Sequence, residues 1–157
     1  METKFSDQSE QRIQETLKKY PAKQAALLPV LWIAQEQFEW ISEEVMELVA
    51  KRLELSPAHV YGVVTFYTMF RRKPVGKYHI QVCRTLPCAL VGCDSIIKYL
   101  KEKLNLSEGE TSPDKRFTFS TVECLASCGS GPMMMVNEKY HENLTPERID
   151  EILEELK

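Results

Sequence analysis

The apolar positions along the chain change period once. Up to about residue 70 they recur at helical spacing. Ile13, Leu17 and Tyr20 fall at i, i+4 and i+7, which predicts one face of a short helix beginning near Ser9 and ended by Pro21. A second, more apolar helix is predicted from about residue 22 to 38, with Leu27, Leu28, Leu31, Trp32 and Ala34 on its apolar positions. Pro29 lies inside that pattern and is expected to kink the helix or to cost it one hydrogen bond. Ser42 reads as the N-cap of a third helix, with Glu43 and Glu44 favourable against the helix dipole and Val45, Val49 and Leu53 on the buried face. Ser56-Pro57 is another start signal, an N-cap followed by proline at the first helical position, and the helix after it carries Val60, Val63, Val64 and Tyr67. Four short helices with short links predict a small helical bundle over residues 1–73.

The basic stretch Arg71-Arg72-Lys73-Pro74-Val75-Gly76 marks the change of period and is equally readable as a solvated linker or a docking patch. Beyond it, Tyr78, Ile80 and Val82 alternate with His79 and Gln81, a strand ending at Cys83. Leu90, Cys93, Ile97, Leu100 and Leu104 then recur at spacings of three and four, predicting one amphipathic helix from near Cys88. A polar loop spans 105–115, and Phe117, Phe119 and Val122 form a second strand that runs to Cys124. The turn Gly129-Ser130-Gly131-Pro132 leads into a third strand over 133–136, whose methionines suit a hydrophobic strand better than a soft-metal site, and residues 140–144 are a candidate hairpin partner. Thr145-Pro146-Glu147 opens a last helix with Ile149, Ile152, Leu153 and Leu156 on its stripe. The fold class is therefore α+β: a helical bundle followed by a β-α-β-β-α domain over residues 74–157.

Composition narrows the function classes. The net charge is -3, and residues 1–76 balance ten basic against ten acidic side chains while 77–157 carry ten and thirteen. This charge gives no nucleic-acid footprint. No apolar run reaches the length of a membrane span, and the polar start Met-Glu-Thr-Lys-Phe-Ser-Asp lacks a secretory core, so no membrane insertion and a cytoplasmic setting are expected. Five cysteines in a reducing compartment argue against a disulfide framework. The six glycines form neither a G-x-G-x-x-G turn nor a P-loop, and the one G-x-G, at 129–131, runs into Pro132 and a strand, so the chain offers no dinucleotide site.

The chemistry lies in two cysteine pairs, Cys83 with Cys88 and Cys124 with Cys128, each where a strand breaks into a loop. Four thiolates suit tetrahedral zinc or an iron–sulfur cluster. A structural or thiol-redox role and plain burial remain open on spacing alone, although the C-x-x-C of a redox dithiol is absent. His59, His79 and His141 are scattered and read as packing or surface residues. Cys93, on the apolar stripe, reads as a small buried side chain.

Several segments resemble one family. Val-Tyr-Gly-Val-Val-Thr-Phe-Tyr-Thr-Met-Phe (60–70), Pro-Val-Gly-Lys-Tyr (74–78), Cys-Arg-Thr-Leu-Pro-Cys-Ala-Leu (83–90), Val-Glu-Cys-Leu-Ala-Ser-Cys (122–128) and Asn-Leu-Thr-Pro-Glu (143–147) are similar to the E-subunit family of NADH-quinone oxidoreductase, respiratory complex I. The resemblance implies a thioredoxin-like [2Fe–2S] ferredoxin domain, with Cys83, Cys88, Cys124 and Cys128 as ligands and no ligand role for Cys93. It implies an electron-transfer subunit, peripheral to the inner membrane, beside a flavoprotein partner that holds FMN and oxidises NADH. It also implies a cis bond before Pro132. The same module in an NAD-linked hydrogenase or formate dehydrogenase is the alternative, and a zinc-stabilised interaction domain is a third reading from another class. Two departures stand out. Family members commonly read Cys-Leu-Gly-Ala-Cys where this chain has Ala126 and Ser127, and alanine where it has Gly131; these small-for-small changes are expected to spare the cluster and to bear on its potential.

Overall fold

The computed structural model describes residues 3–156. The chain divides into two compact units between Pro74 and Val75.

The first unit is helical: α1 (Asp7–Leu17), a 3-10 turn (Lys23–Ala26), α2 (Leu27–Phe38), α3 (Glu43–Leu53) and α4 (Pro57–Phe66). The hydroxyls of Ser6, Ser42 and Ser56 accept from the N–H groups of Ser9, Val45 and His59, capping α1, α3 and α4 and satisfying donors that have no partner inside the helix. The expected single helix over 22–38 is a 3-10 turn followed by an α-helix. Pro29 is the third residue of α2, in the first turn, so its missing N–H costs α2 no internal bond. Ile13, Val30, Leu31, Ile41, Val49 and Val60 are buried with their neighbours in one core. The end of the unit is held to that core by one buried amide: Gln35 Nε2 donates to the carbonyl of Met69 (3.1 Å) and the N–H of Arg71 donates to Gln35 Oε1 (2.7 Å), while the N–H of Ile41 donates to the Arg71 carbonyl (2.7 Å). The backbone at Arg71 is therefore anchored.

Arg52 on α3 reaches α1, donating through Nε to both oxygens of Glu10 (2.8 and 3.1 Å) with Nη2 2.6 Å from Oε1. That hydrogen bond, reinforced by the guanidinium charge and opposed by desolvation, holds the Glu10 carboxyl below its ordinary value of 4.5. The native value is thus lower than the unfolded one, so the stabilisation is full above the ordinary value and is lost as pH falls through the native one. Because the pair is partly exposed and screened, Glu10→Gln is expected to cost about 1 kcal/mol near pH 7. The cost should shrink toward zero in acid, as urea unfolding at both pH values will show.

The second unit holds a four-stranded sheet in the order β2-β1-β3-β4, from β1 (Tyr78–Cys83), β2 (Phe117–Val122), β3 (Met134–Val136) and β4 (Lys139–His141). Strands β1 and β2 run parallel, with Tyr78 opposite Phe117 and Cys83 opposite Val122; β3 is antiparallel to both β1 and β4. Asn137, in the left-handed region at the β3–β4 turn, takes the N–H of His79 on its side-chain oxygen (2.9 Å) and gives its own N–H to the His79 carbonyl (2.9 Å), which fixes the β1–β3 register. The run 140–144 contributes only its first residues to β4, making the order β-α-α-β-β-β-α.

The extra helix arises because the predicted helix from Cys88 is two: α5 (Leu86–Leu90) and α6 (Cys93–Leu104), separated at Gly92, whose φ of 95° no right-handed helix accommodates. The stripe shifts with the break. Leu90 is 78% exposed, and Cys93, Ile96 and Leu100 are the buried face of α6. Ile96 and Leu100 pack with Ile149, Ile152 and Leu153 of α7 (Pro146–Glu155) and with Ile80, Val82, Phe119, Met134 and Val136 of the sheet. Thr145 caps α7 through the N–H of Arg148.

Candidate metal centre

Parallel pairing explains how residues forty positions apart become neighbours. With Cys83 opposite Val122, the segments that follow β1 and β2 leave the same end of the sheet, one carrying Cys88 in α5 and the other Cys124 and Cys128. The N–H of Arg84 donates to the Val122 carbonyl (3.0 Å), and the Cys83 sulfur lies 3.5 Å from the Glu123 carbonyl. Arg84 also spans the two loops with its side chain, meeting Glu123 Oε1 through Nε (3.0 Å) and Nη2 (2.7 Å). The residue after the first cysteine of one pair thus clasps the residue before the first cysteine of the other.

The two pairs sit differently. Cys83, Cys88 and Cys93 are buried and share a small core with Leu125 and Met133; Cys124 and Cys128 are exposed. Among the described residues no three His, Cys, Asp or Glu side chains already stand in a metal-holding arrangement. His59, His79 and His141 lie on α4, β1 and β4, and Met133 and Met134 are buried.

The donor set still fits a cluster, on two grounds. It consists of thiols alone, the ligands that iron–sulfur centres take. It is also supplied with donors at sulfur, the Thr85 hydroxyl at Cys83 and the Ala126 N–H at Cys124. Burial opposes ionisation of Cys83, but the Thr85 hydroxyl (3.1 Å), the Thr85 N–H and the Leu125 N–H outweigh it and hold the thiol below its ordinary range. Cys88 goes the other way: burial first, then its contact with Cys83, push it up to about 11, against the Met133 N–H. On the second loop, the N–H of Ala126 donates to Cys124 Sγ (3.3 Å). Thr85 and the backbone donors were not visible in the spacing of the cysteines; a hydroxyl residue inside the C-x4-C loop was the one available signal.

The Ala126 contact uses an unusual backbone. Ala126 has φ 60°, the left-handed region that glycine enters freely and alanine enters at a cost of about 1–2 kcal/mol. Glycine gives back part of that through its greater unfolded-state freedom. Ala126→Gly, the residue common in the resembling pattern, is therefore expected to raise stability by about 0.5 kcal/mol. A lowered thermal midpoint would contradict this. Gly131 is the second departure. Its bond to Pro132 is cis, and a Cβ on it would stand 3.3 Å from Cys88 Sγ and 3.0 Å from Val91 Cγ2, so glycine leaves space beside one thiol that alanine would fill.

Comparison with known proteins gives the family. The thioredoxin-like [2Fe–2S] ferredoxin family matches residues 13–157. The E subunit of NADH-quinone oxidoreductase from Rickettsia bellii is 44% identical over 147 residues, covering 92% of this chain and 88% of the relative. The E 2 subunit from Rhizobium meliloti is 39% identical over 144 residues, covering 92% and 86%. Among solved structures, an NAD+-reducing [NiFe]-hydrogenase in the air-oxidised state superimposes with a TM-score of 0.71 at 19% identity, over 83% of this chain and 22% of that one, a likeness of fold. On the strength of a family match over nearly its whole length and of relatives above 40% identity, the chain belongs to the thioredoxin-like [2Fe–2S] ferredoxins.

Proposed function

We propose that this chain is the electron-carrying E subunit of an NADH-quinone oxidoreductase, with Cys83, Cys88, Cys124 and Cys128 holding one [2Fe–2S] cluster. The observation that carries the reading is the meeting of the two cysteine segments at one end of the parallel β1–β2 pair, with the Thr85 hydroxyl against Cys83 and the Ala126 N–H donating to Cys124. When bound, the cluster supplies one-electron storage and transfer. The protein supplies four sulfurs, the hydrogen bonds that temper their charge, and a core of Leu125 and Met133 that keeps water from the inner pair. E-subunit relatives at 39–44% identity favour this assignment over a hydrogenase or formate dehydrogenase module.

The carbon chemistry belongs elsewhere. A hydride donor delivers two electrons together, so a flavin must stand between NADH and a one-electron centre. The partner is a flavoprotein carrying FMN and the NADH site. Its docking surface on this chain is the helical unit, where Tyr61 and Phe66, the latter 76% exposed, stand on the outer side of α4. Among the described residues no helix is long and apolar enough to cross a membrane, consistent with a cytoplasmic position at the periphery of the complex. Purified chain mixed with NADH and an artificial acceptor should show no turnover, and cluster reduction should require the flavoprotein. Bleaching of the cluster by NADH in the flavin-free chain would overturn the proposal.

A further inference from the structure

The turn that carries Cys128 is held from outside by one carboxylate. Glu142, the residue after β4, takes hydrogen bonds on the same oxygen, Oε1, from the hydroxyls of Ser127 and Ser130, the latter at 2.5 Å. The two hydroxyls are 2.8 Å apart. They belong to the residues that bracket the short 3-10 turn Cys128–Ser130, which the N–H of Ser130 closes onto the Ser127 carbonyl (3.2 Å). The next backbone bonds run in the same direction: the N–H of Asn143 donates to the Ser130 carbonyl (2.8 Å) and that of Leu144 to the Pro132 carbonyl (2.9 Å). The segment 127–132 is therefore laced to 142–144 by side chain and main chain together.

We propose that Glu142 is a positioning residue for Cys128, its carboxylate clamping the turn so that the exposed sulfur is held where a cluster needs it. Cys83 and Cys88 are fixed by burial in a packed core; Cys128 has no such support, since it is exposed on a loop. Hydrogen bonds to an ionised carboxylate are among the stronger polar contacts, and two converging on one oxygen restrict both ends of the turn. Partners outside the ligand set orient the ligands and commonly decide how firmly a metal is kept. The resembling pattern has alanine at the position of Ser127, so half of this clamp is a feature of this chain. The consequence for the cluster rests on the electron-carrier reading above; the clamp itself is a property of the polypeptide.

The test uses the full chain as wild type, Glu142→Ala, Glu142→Gln, the pair Ser127→Ala/Ser130→Ala, and all three alanines combined. Backbone hydrogen exchange over 124–132 reads the clamp with or without metal. Glu142→Ala and the serine pair should each exchange about tenfold faster there, with peptides of α6 and α7 unchanged, and the triple variant should add nothing, as coupled groups require. Glu142→Gln keeps an acceptor oxygen and should restore most of the protection. In protein matured with iron, Glu142→Ala should release iron to a chelator several-fold faster than wild type at equal starting content, again rescued by glutamine. Exchange over 124–132 within twofold of wild type in Glu142→Ala would overturn the proposal. So would faster exchange with an unchanged rate of iron release. If the wild-type chain holds no iron and sulfide, the electron-carrier reading fails, and with it the cluster-positioning role, while the exchange result still decides the clamp.

Discussion

Cys88→Ala is expected to abolish the cluster, while Cys93→Ala leaves its content unchanged. The two thiols share one small core and both are buried, so burial alone does not separate them. Their surroundings do. Cys88 lies on α5, just after the end of β1 that carries Cys83, and Gly131 leaves space beside its sulfur. Cys93 is the first residue of α6, fully buried, with its sulfur 4.0 Å from Asp94 Oδ1. Burial, then the Asp94 charge, push the Cys93 thiol up, as burial does for Cys88, so position is what separates the two: Cys93 opens α6 within its apolar face. Removing its sulfur leaves a small cavity, and the cost should be about 1–2 kcal/mol. Iron and sulfide assays on both variants, beside their unfolding midpoints, separate the cases. Equal loss of iron in both would show that the fourth ligand is misassigned.

The second large effect is expected far from any cysteine. An added Cβ on Gly76 would stand 2.9 Å from the carbonyl carbon and oxygen of Arg116 and from the carbonyl carbon of Phe117. Those are backbone atoms of the strand beside β1, so no side chain can rotate out of the way. The same stretch ties the chain just before β1 to the start of β2: Gly76 N–H donates to the Thr118 hydroxyl (2.6 Å), Lys77 N–H to the Lys115 carbonyl (3.0 Å) and Tyr78 N–H to the Arg116 carbonyl (2.7 Å). Gly76→Ala must open this corner, at a cost of about 2–3 kcal/mol. Because the same ladder places Cys83 opposite Val122, cluster content should fall as well. Gly62→Ala is the control. It lies in α4 with nothing within 4 Å of its Cβ, and replacing a helical glycine with alanine should be neutral or gain up to about 1 kcal/mol. Equal unfolding midpoints for the two variants would refute the argument.

Much of the fold was legible because its signals are local. Ser42, Ser56 and Thr145 announce helices that begin one residue later, and β1 and the apolar stripe of α7 are what the structure contains, although His79, on the polar side of the β1 alternation, is buried as well. The misreadings came where periodicity alone stood in for backbone conformation. Leu90 continues the spacing of the stripe, yet Gly92 turns the chain and leaves Leu90 on the surface. Pro29 looked internal because the 3-10 turn before α2 has much the same spacing of apolar residues as a helix. The cysteine pairs were visible as pairs, but their approach depends on a parallel ladder between residues forty apart, which no local pattern encodes. Glu142 was invisible for the same reason, since its serines lie twelve and fifteen positions away.

The central claim, a four-cysteine [2Fe–2S] centre, is tested most directly by metal and sulfide analysis of anaerobically purified chain together with its paramagnetic-resonance spectrum before and after reduction. The account predicts about two irons and two acid-labile sulfides per chain, and a signal that appears only on one-electron reduction. Stoichiometric zinc without sulfide, in protein matured with iron available, would contradict it.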